Sequence, residues 1–169
     1  LGATQAEMPV FEMALRLRDN GESAAAAAGA LRAYAHRVQV YIIADDLYPH
    51  KRGGRVSAAA AAVGSLLKIK PLIIFDDAGK LQVYKKPAGW KKALKTVLDH
   101  IAEFCPQPGT KKFWIAHADA LDKAEEAKSA IEGAYPGAEV QIGWIGPVIG
   151  AHTGAGTIGI LFEANSRLM

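Results

Sequence analysis

Apolar residues recur at helical spacing at Met8, Phe11 and Leu15, with Val10 and Leu17 between them, so residues 1–20 are expected to be helical. Pro9 is tolerated there because it falls in a first turn. Asn20-Gly21 ends this helix, and Glu22-Ser23 opens a second that runs through Ala24–Ala30 to about Arg37. Alanine favours helix strongly but builds a poor core, so this is expected to be a surface or packing helix. The pattern changes at Val38. Val38–Ala44 is β-branched and aromatic and predicts a strand. Ser57 is placed to cap a helix over Ala58–Lys68, which is apolar nearly all round and therefore buried. Ile69–Asp76 and Leu81–Lys86 predict two strands joined by a hairpin at Asp77–Lys80. Trp90–Phe104 is amphipathic, with Leu94, Val97, Leu98 and Ile101 inward and Lys91, Lys92 and Lys95 outward. Lys112–Ala116 predicts a strand, and Asp119 is placed to cap a helix over Ala120–Ala134. Pro136-Gly137 turns the chain into a strand at Glu139–Ile145. A glycine-rich loop and a last strand at Thr157–Glu163 follow.

From residue 38 onward these elements amount to six strands and three helices. Three helices cannot cover both faces of a six-stranded sheet. The expected fold is therefore α/β, a two-layer domain with a six-stranded mixed sheet and helices on one face. The short hairpin requires at least one antiparallel pair.

Composition narrows the function classes. The chain has 169 residues, half of them hydrophobic, and a net charge of +3 with its basic residues spread out. That suits an ordinary globular protein and gives no basis for a nucleic-acid partner. No apolar run approaches the length of an integral membrane segment. A single cysteine, Cys105, excludes an internal disulfide and suits a reducing, cytoplasmic setting. A chain that opens at Leu1 with no signal-peptide pattern is expected to be a later part of a longer protein.

Candidate chemistry concentrates in Gly146–Gly159, where five of fourteen residues are glycine and His152-Thr153 stands in the centre. Glycine permits close approach of backbone to a ligand, at an entropic cost that calls for some return. Gly154, Gly156 and Gly159 match the spacing of a dinucleotide loop, but a β-rich run follows them where that motif needs a helix N-terminus. Asp45-Asp46 and Asp76-Asp77 read as acidic turns at strand ends rather than metal ligands. None of the five histidines stands in a metal-ligand pair, and no nucleophile is specified with its base, so no metal site is expected. What remains is Arg55 beside a double glycine, and His152. Both are able to donate to a phosphate or carboxylate. Arg55 serving only to neutralise an element end, and His152 serving only to fix its own loop, are the alternatives. The small residues of Ala58–Lys68 leave room either for a narrow apolar ligand or for tight helix–sheet packing.

Several motifs in one order add to this reading. They are Gly53-Gly-Arg-Val-Ser57, Leu66-Leu67-Lys68-Ile69-Lys70-Pro71, Lys91-Lys92-Ala93 and the stretch from Gly146 to Gly156. Together they resemble the DegV family of bacterial fatty-acid-binding proteins over nearly the whole chain, which matches the second part of the family's length. The resemblance implies that residues 1–37 are terminal helices of a mostly absent N-terminal α/β/α domain, and that residues 38–169 form the C-terminal two-layer α/β domain. It implies a non-catalytic lipid carrier that needs no cofactor. Such a carrier binds one long-chain fatty acid between its two domains and presents the carboxylate to a fatty acid kinase subunit for acyl-phosphate formation. By motif position Arg55, His152 and Thr153 would hold the carboxylate. Ile43, Val63, Leu66 and Ile149 would line the acyl chain. Family hydroxyl residues that also hold the carboxylate belong to the absent domain. Ala88 stands where family members often carry an exposed arginine implicated in kinase docking, which speaks against that partnership here. Two rival readings are a small-molecule phosphotransferase related to dihydroxyacetone kinase and a ligand-free interaction domain.

Overall fold

The computed structural model describes residues 3–54, 68–76 and 78–165. The expected helix over Ala58–Lys68, its cap Ser57, and Arg55, Val63 and Leu66 lie outside the described residues, except for Lys68 at its end.

A 3-10 turn at Thr4–Glu7 leads into α1 (Met8–Asp19), with Pro9 in its first turn, and α2 (Ala24–Ala35) follows. Ser23 caps α2, its hydroxyl accepting from the Ala26 amide at 3.3 Å. The strands are β1 (Val38–Ile43), β2 (Leu72–Phe75), β3 (Leu81–Lys85), β4 (Lys112–His117), β5 (Glu139–Trp144) and β6 (Ile158–Glu163). The remaining helices among the described residues are α3 (Tyr48–Arg52), α4 (Trp90–Phe104), α5 (Leu121–Ala134) and α6 (Pro147–Thr153).

The six strands form one mixed sheet in the order β3-β2-β1-β6-β4-β5. Only β4 and β5 run parallel, linked through α5; the other neighbours are antiparallel. The predicted hairpin is the β2–β3 pair. The sheet faces separate by the two-residue period of a strand. Tyr41 and Ile43, Phe113 and Ile115, and Ile158, Ile160 and Phe162 point to the layer of α4 and α5. There they bury against Leu94, Val97, Ile101 and Ile131. Val38, Val40, Trp114 and Leu161 point the other way, toward Ala6, Met8, Val10 and Tyr34. The two long helices described after residue 38, α4 and α5, therefore share one face as expected. The opposite face is partly roofed by the N-terminal segment and the short helices α3 and α6.

Three local readings need correction. Asp119 does not cap α5: it takes a left-handed φ of 49°, and the Ala120 amide donates instead to His117 Nδ1 at 3.3 Å. The ladder at Ile69–Asp76 is shorter than its apolar run, because Lys70-Pro71 interrupts it and Ile69 pairs only as an isolated bridge with Ala88. The glycine-rich loop is in part the helix α6, since Pro147 fits a first turn and Gly154, at φ 83°, stops the helix after Thr153.

Asp45, just past β1, ties three parts of the fold together. Its carboxylate accepts from Lys70 Nζ at 2.7 Å and Lys123 Nζ at 2.8 Å, and its side chain packs where a Cβ on Gly156 would stand. Burial alone would raise its pKa, but the hydrogen bonds and charges of Lys123 and Lys70 outweigh burial and hold the carboxyl below its usual value. A carboxyl depressed in the folded state stabilises the fold above the unfolded pKa near 4, and the contribution is lost as pH falls through the folded value. With 39% of this side chain exposed, screening limits the pair to under about 1 kcal/mol. Asp45→Asn is expected to flatten that part of the stability profile in urea titrations from pH 7 to 2.5. An unchanged profile would remove Asp45 from the account.

Candidate functional site

On the sheet face opposite α4 and α5 lies a cavity of about 290 Å³. The odd–even alternation of the strands supplies its floor: Val40 and Ile42 from β1, Gly159 and Leu161 from β6, and Ala116 from β4. Phe75 and Leu81 close the side toward the β2–β3 hairpin, and Ala3, Thr4 and Ala6 close the side toward the N-terminal segment. That segment sits close because Gly143 has no side chain: the Gln5 amide packs where a Cβ would be. Ile145 and Ile149 complete the apolar wall.

The other polar groups of the cavity come from α3, α6 and the turn before β6: His50, His152, Thr153 and Thr157. α3 and α6 approach closely because two glycines are missing side chains at the contact. A Cβ on Gly154 would meet Pro49 Cγ at 2.8 Å, and one on Gly53 would meet His152 Nδ1 at 2.5 Å. The Thr157 hydroxyl donates to the Thr153 carbonyl at 2.9 Å and fixes the end of α6. Two of these four side chains have no partners among the described residues: the Thr153 hydroxyl and both ring nitrogens of His50. His50 is fully buried. Burial pushes its pKa down. The backbone and charge of Asp46 oppose this, without meeting the geometry of a hydrogen bond. A buried polar group left unpaired costs about 1–3 kcal/mol. The arrangement is that of a mostly apolar chamber with unsatisfied hydrogen-bonding capacity on one side, suited to an amphipathic ligand.

Of the residues singled out by sequence, His152, Thr153 and Ile149 meet at this cavity. Ile43 does not. It is one residue out of phase, buried in the helix-side core, and Ile42 takes the place expected of it. Arg55, Val63 and Leu66 lie outside the described residues. Sequence reasoning missed His50, Ile42, Ile145 and Thr157. No alternation in the apolar run of β1 separates Ile42 from Ile43, and nothing in the local pattern marks His50 as buried. Cys105 is buried at the C-terminal end of α4, and burial pushes its thiol up to about 11, so it is not a nucleophile at neutral pH. No helix among the described residues is long and apolar enough to cross a membrane.

The fold has counterparts in known proteins. Residues 3–165 match the family described as "Uncharacterised protein, DegV family". A DegV domain-containing protein of Clostridium perfringens is 40% identical over 127 residues, covering 75% of this chain and 44% of that protein. A fatty acid binding DegV family protein from Streptococcus agalactiae superposes with a TM-score of 0.81 at 27% identity, covering 96% of this chain and 59% of that one. DegV of Bacillus subtilis, described as a fatty acid binding protein, superposes with a TM-score of 0.78 at 29% identity, covering 95% and 57%. The chain thus spans about half the length of the curated relatives it matches. On the match across 3–165 and the 40% identity, this chain belongs to the DegV family.

Proposed function

We propose that the cavity receives the hydrocarbon tail of a long-chain fatty acid and that His152 and Thr153 hold its carboxylate, with Arg55, outside the described residues, as a further ligand by motif position. The observation that carries this is the pairing of an apolar wall with a buried, unpartnered Thr153 hydroxyl at the end of α6. Solved relatives described as fatty acid binding, at 27% and 29% identity, support it. Burying about fourteen methylenes is worth roughly 11 kcal/mol gross, before the costs of ordering the ligand and the site. A carboxylate cannot follow the tail into such a site without donors, because an unpaired buried charge is expensive. The relatives are about twice as long as this chain, so the remainder of the full-length protein is expected to complete the site.

The role is that of a carrier rather than a catalyst, with no cofactor. The finer step is presentation of the carboxylate to a kinase subunit for acyl-phosphate formation. Ala88 is exposed just before α4, a position open to a partner but without the charge of an arginine.

Solvent extraction of the denatured full-length protein, read by mass spectrometry, is expected to release one long-chain fatty acid per protein. An empty extract after incubation with a mixed fatty-acid pool would sink the carrier reading. The kinase step is read separately, as acyl phosphate formed from the loaded protein, ATP and a fatty acid kinase subunit. Ala88→Arg is expected to raise that rate without changing acid affinity. No acyl phosphate with either protein would remove the kinase partner and leave a carrier alone.

A further inference from the structure

His50 is the most unusual side chain in the cavity. It is fully buried, it lines the chamber, and both ring nitrogens lack partners among the described residues. A buried histidine ordinarily has at least one nitrogen satisfied, since leaving both bare costs stability with nothing gained in the empty protein. Its place beside the head-group residues follows from the packing of α3 on α6. Pro49 fills the space above Gly154, the residue after Thr153, and Gly53 abuts the His152 ring. His50 lies between Pro49 and Gly53 on the same short helix. Its ring therefore enters the chamber on the side of Thr153 and His152, the side on which the chamber is polar.

We propose that His50 is a further ligand of the acid head group, binding it together with Thr153 from within the cavity. This rests on the fatty-acid reading given above and adds to it a residue that hydrogen-bonds the acid itself. Neutral imidazole carries one donor and one acceptor, and imidazolium carries two donors. A carboxylate arriving beside the ring favours the donor-rich form, so acid binding is coupled to proton uptake by His50. Among the described residues the strands present no titratable side chain to this space: they contribute Val40, Ile42, Phe75, Leu81, Ala116, Gly159 and Leu161. Among the described residues the titratable groups near His50 are His152 on α6 and Asp46 before α3, while Lys51 and Arg52 on α3 are exposed. Burial holds the empty site's His50 toward the neutral form, so the proton arrives with the ligand.

The test uses the full-length protein and two probes with one chain, palmitic acid and hexadecanol. His50→Leu is expected to weaken palmitic acid about tenfold or more and hexadecanol by less than about threefold, because a hydrogen bond to a charged group is the stronger one. The empty His50→Leu protein is expected to melt no lower than wild type, since an unpaired buried polar group has been replaced by an apolar one. His50→Gln keeps a hydrogen-bonding group but cannot titrate. It is expected to retain more acid affinity than His50→Leu and to lose the proton uptake that calorimetry in buffers of different ionisation enthalpy reads for wild type. Equal losses for acid and alcohol, or a lowered melting temperature in both variants, would make His50 a structural residue and overturn the proposal. Unchanged acid affinity in His50→Leu would overturn it while leaving the carrier reading intact. Wild-type protein that binds neither probe overturns the carrier reading and this assignment with it.

Discussion

Phe162→Ala is expected to cost about 3–5 kcal/mol of folding stability, enough to leave the domain largely unfolded if its total lies at the low end of the usual 5–15 kcal/mol. Phe162 is fully buried on β6, which is paired on both sides, with β1 and with β4. Its ring stacks on Tyr41 with centroids 5.8 Å apart and packs obliquely on Phe113 at 5.9 Å. The helix-side core thus has an aromatic centre drawn from three adjacent strands. Truncation there opens a void that the sheet cannot close, because all three strands are held in register by their ladders. Phe162→Leu keeps most of the volume and is expected to cost clearly less. Urea unfolding followed by circular dichroism and tryptophan fluorescence measures both. A loss below about 1 kcal/mol for Phe162→Ala would mean that this aromatic centre is not a rigid core.

Element type was legible wherever one period dominated the pattern. Trp90–Phe104 is legible to the residue because its apolar stripe is bounded by Gly89 and by the Cys105-Pro106 break. The strands were legible from β-branched runs, and the hairpin from its turn residues. Phase within a strand was harder. Val38–Ile43 is apolar at nearly every position, so nothing in the run says which residues face the helices. Ile43 comes to the ligand from motif position alone, and the run itself offers no check on its phase. The alternation resolves only once β1 is seen between β2 and β6. Short helices were missed where glycine and proline dominate, since these residues mark punctuation before they mark helix. α3 and α6 are each only a few residues long and are stabilised by packing on each other, a tertiary fact with no local signature. The site followed the same division. His152 and Thr153 announced themselves through the glycines around them. His50 sits in a stretch with no periodic signal, and only the fold shows it to be buried and unpaired.

Gly53→Ala is expected to reduce fatty-acid affinity of the full-length protein by tenfold or more while leaving the fold nearly as stable as before. Gly53 has ordinary right-handed backbone angles, φ −76° and ψ −1°, so an alanine there meets no conformational barrier. Its constraint is one of space. The added Cβ would stand 2.5 Å from His152 Nδ1 and 3.3 Å from the Pro49 carbonyl oxygen. The backbone oxygen is fixed in the α3 turn, where it accepts from the Gly53 amide at 2.9 Å, so the imidazole is the group that moves. A ring displaced by about an ångström no longer meets the carboxylate proposed to sit at Thr153, and hydrogen bonds weaken steeply with misalignment. Tenfold corresponds to about 1.4 kcal/mol, close to the lower end of the range of about 1.5–3 kcal/mol for one hydrogen bond to a charged group. His152→Ala removes the same interaction outright and is expected to cost at least as much affinity. The two substitutions act on one group, so they should not add: Gly53→Ala in the His152→Ala background is expected to cause little further loss. Additive losses in that cycle would show that Gly53 serves the ligand by some route other than His152. Unchanged affinity in His152→Ala would remove the imidazole from the head-group site altogether.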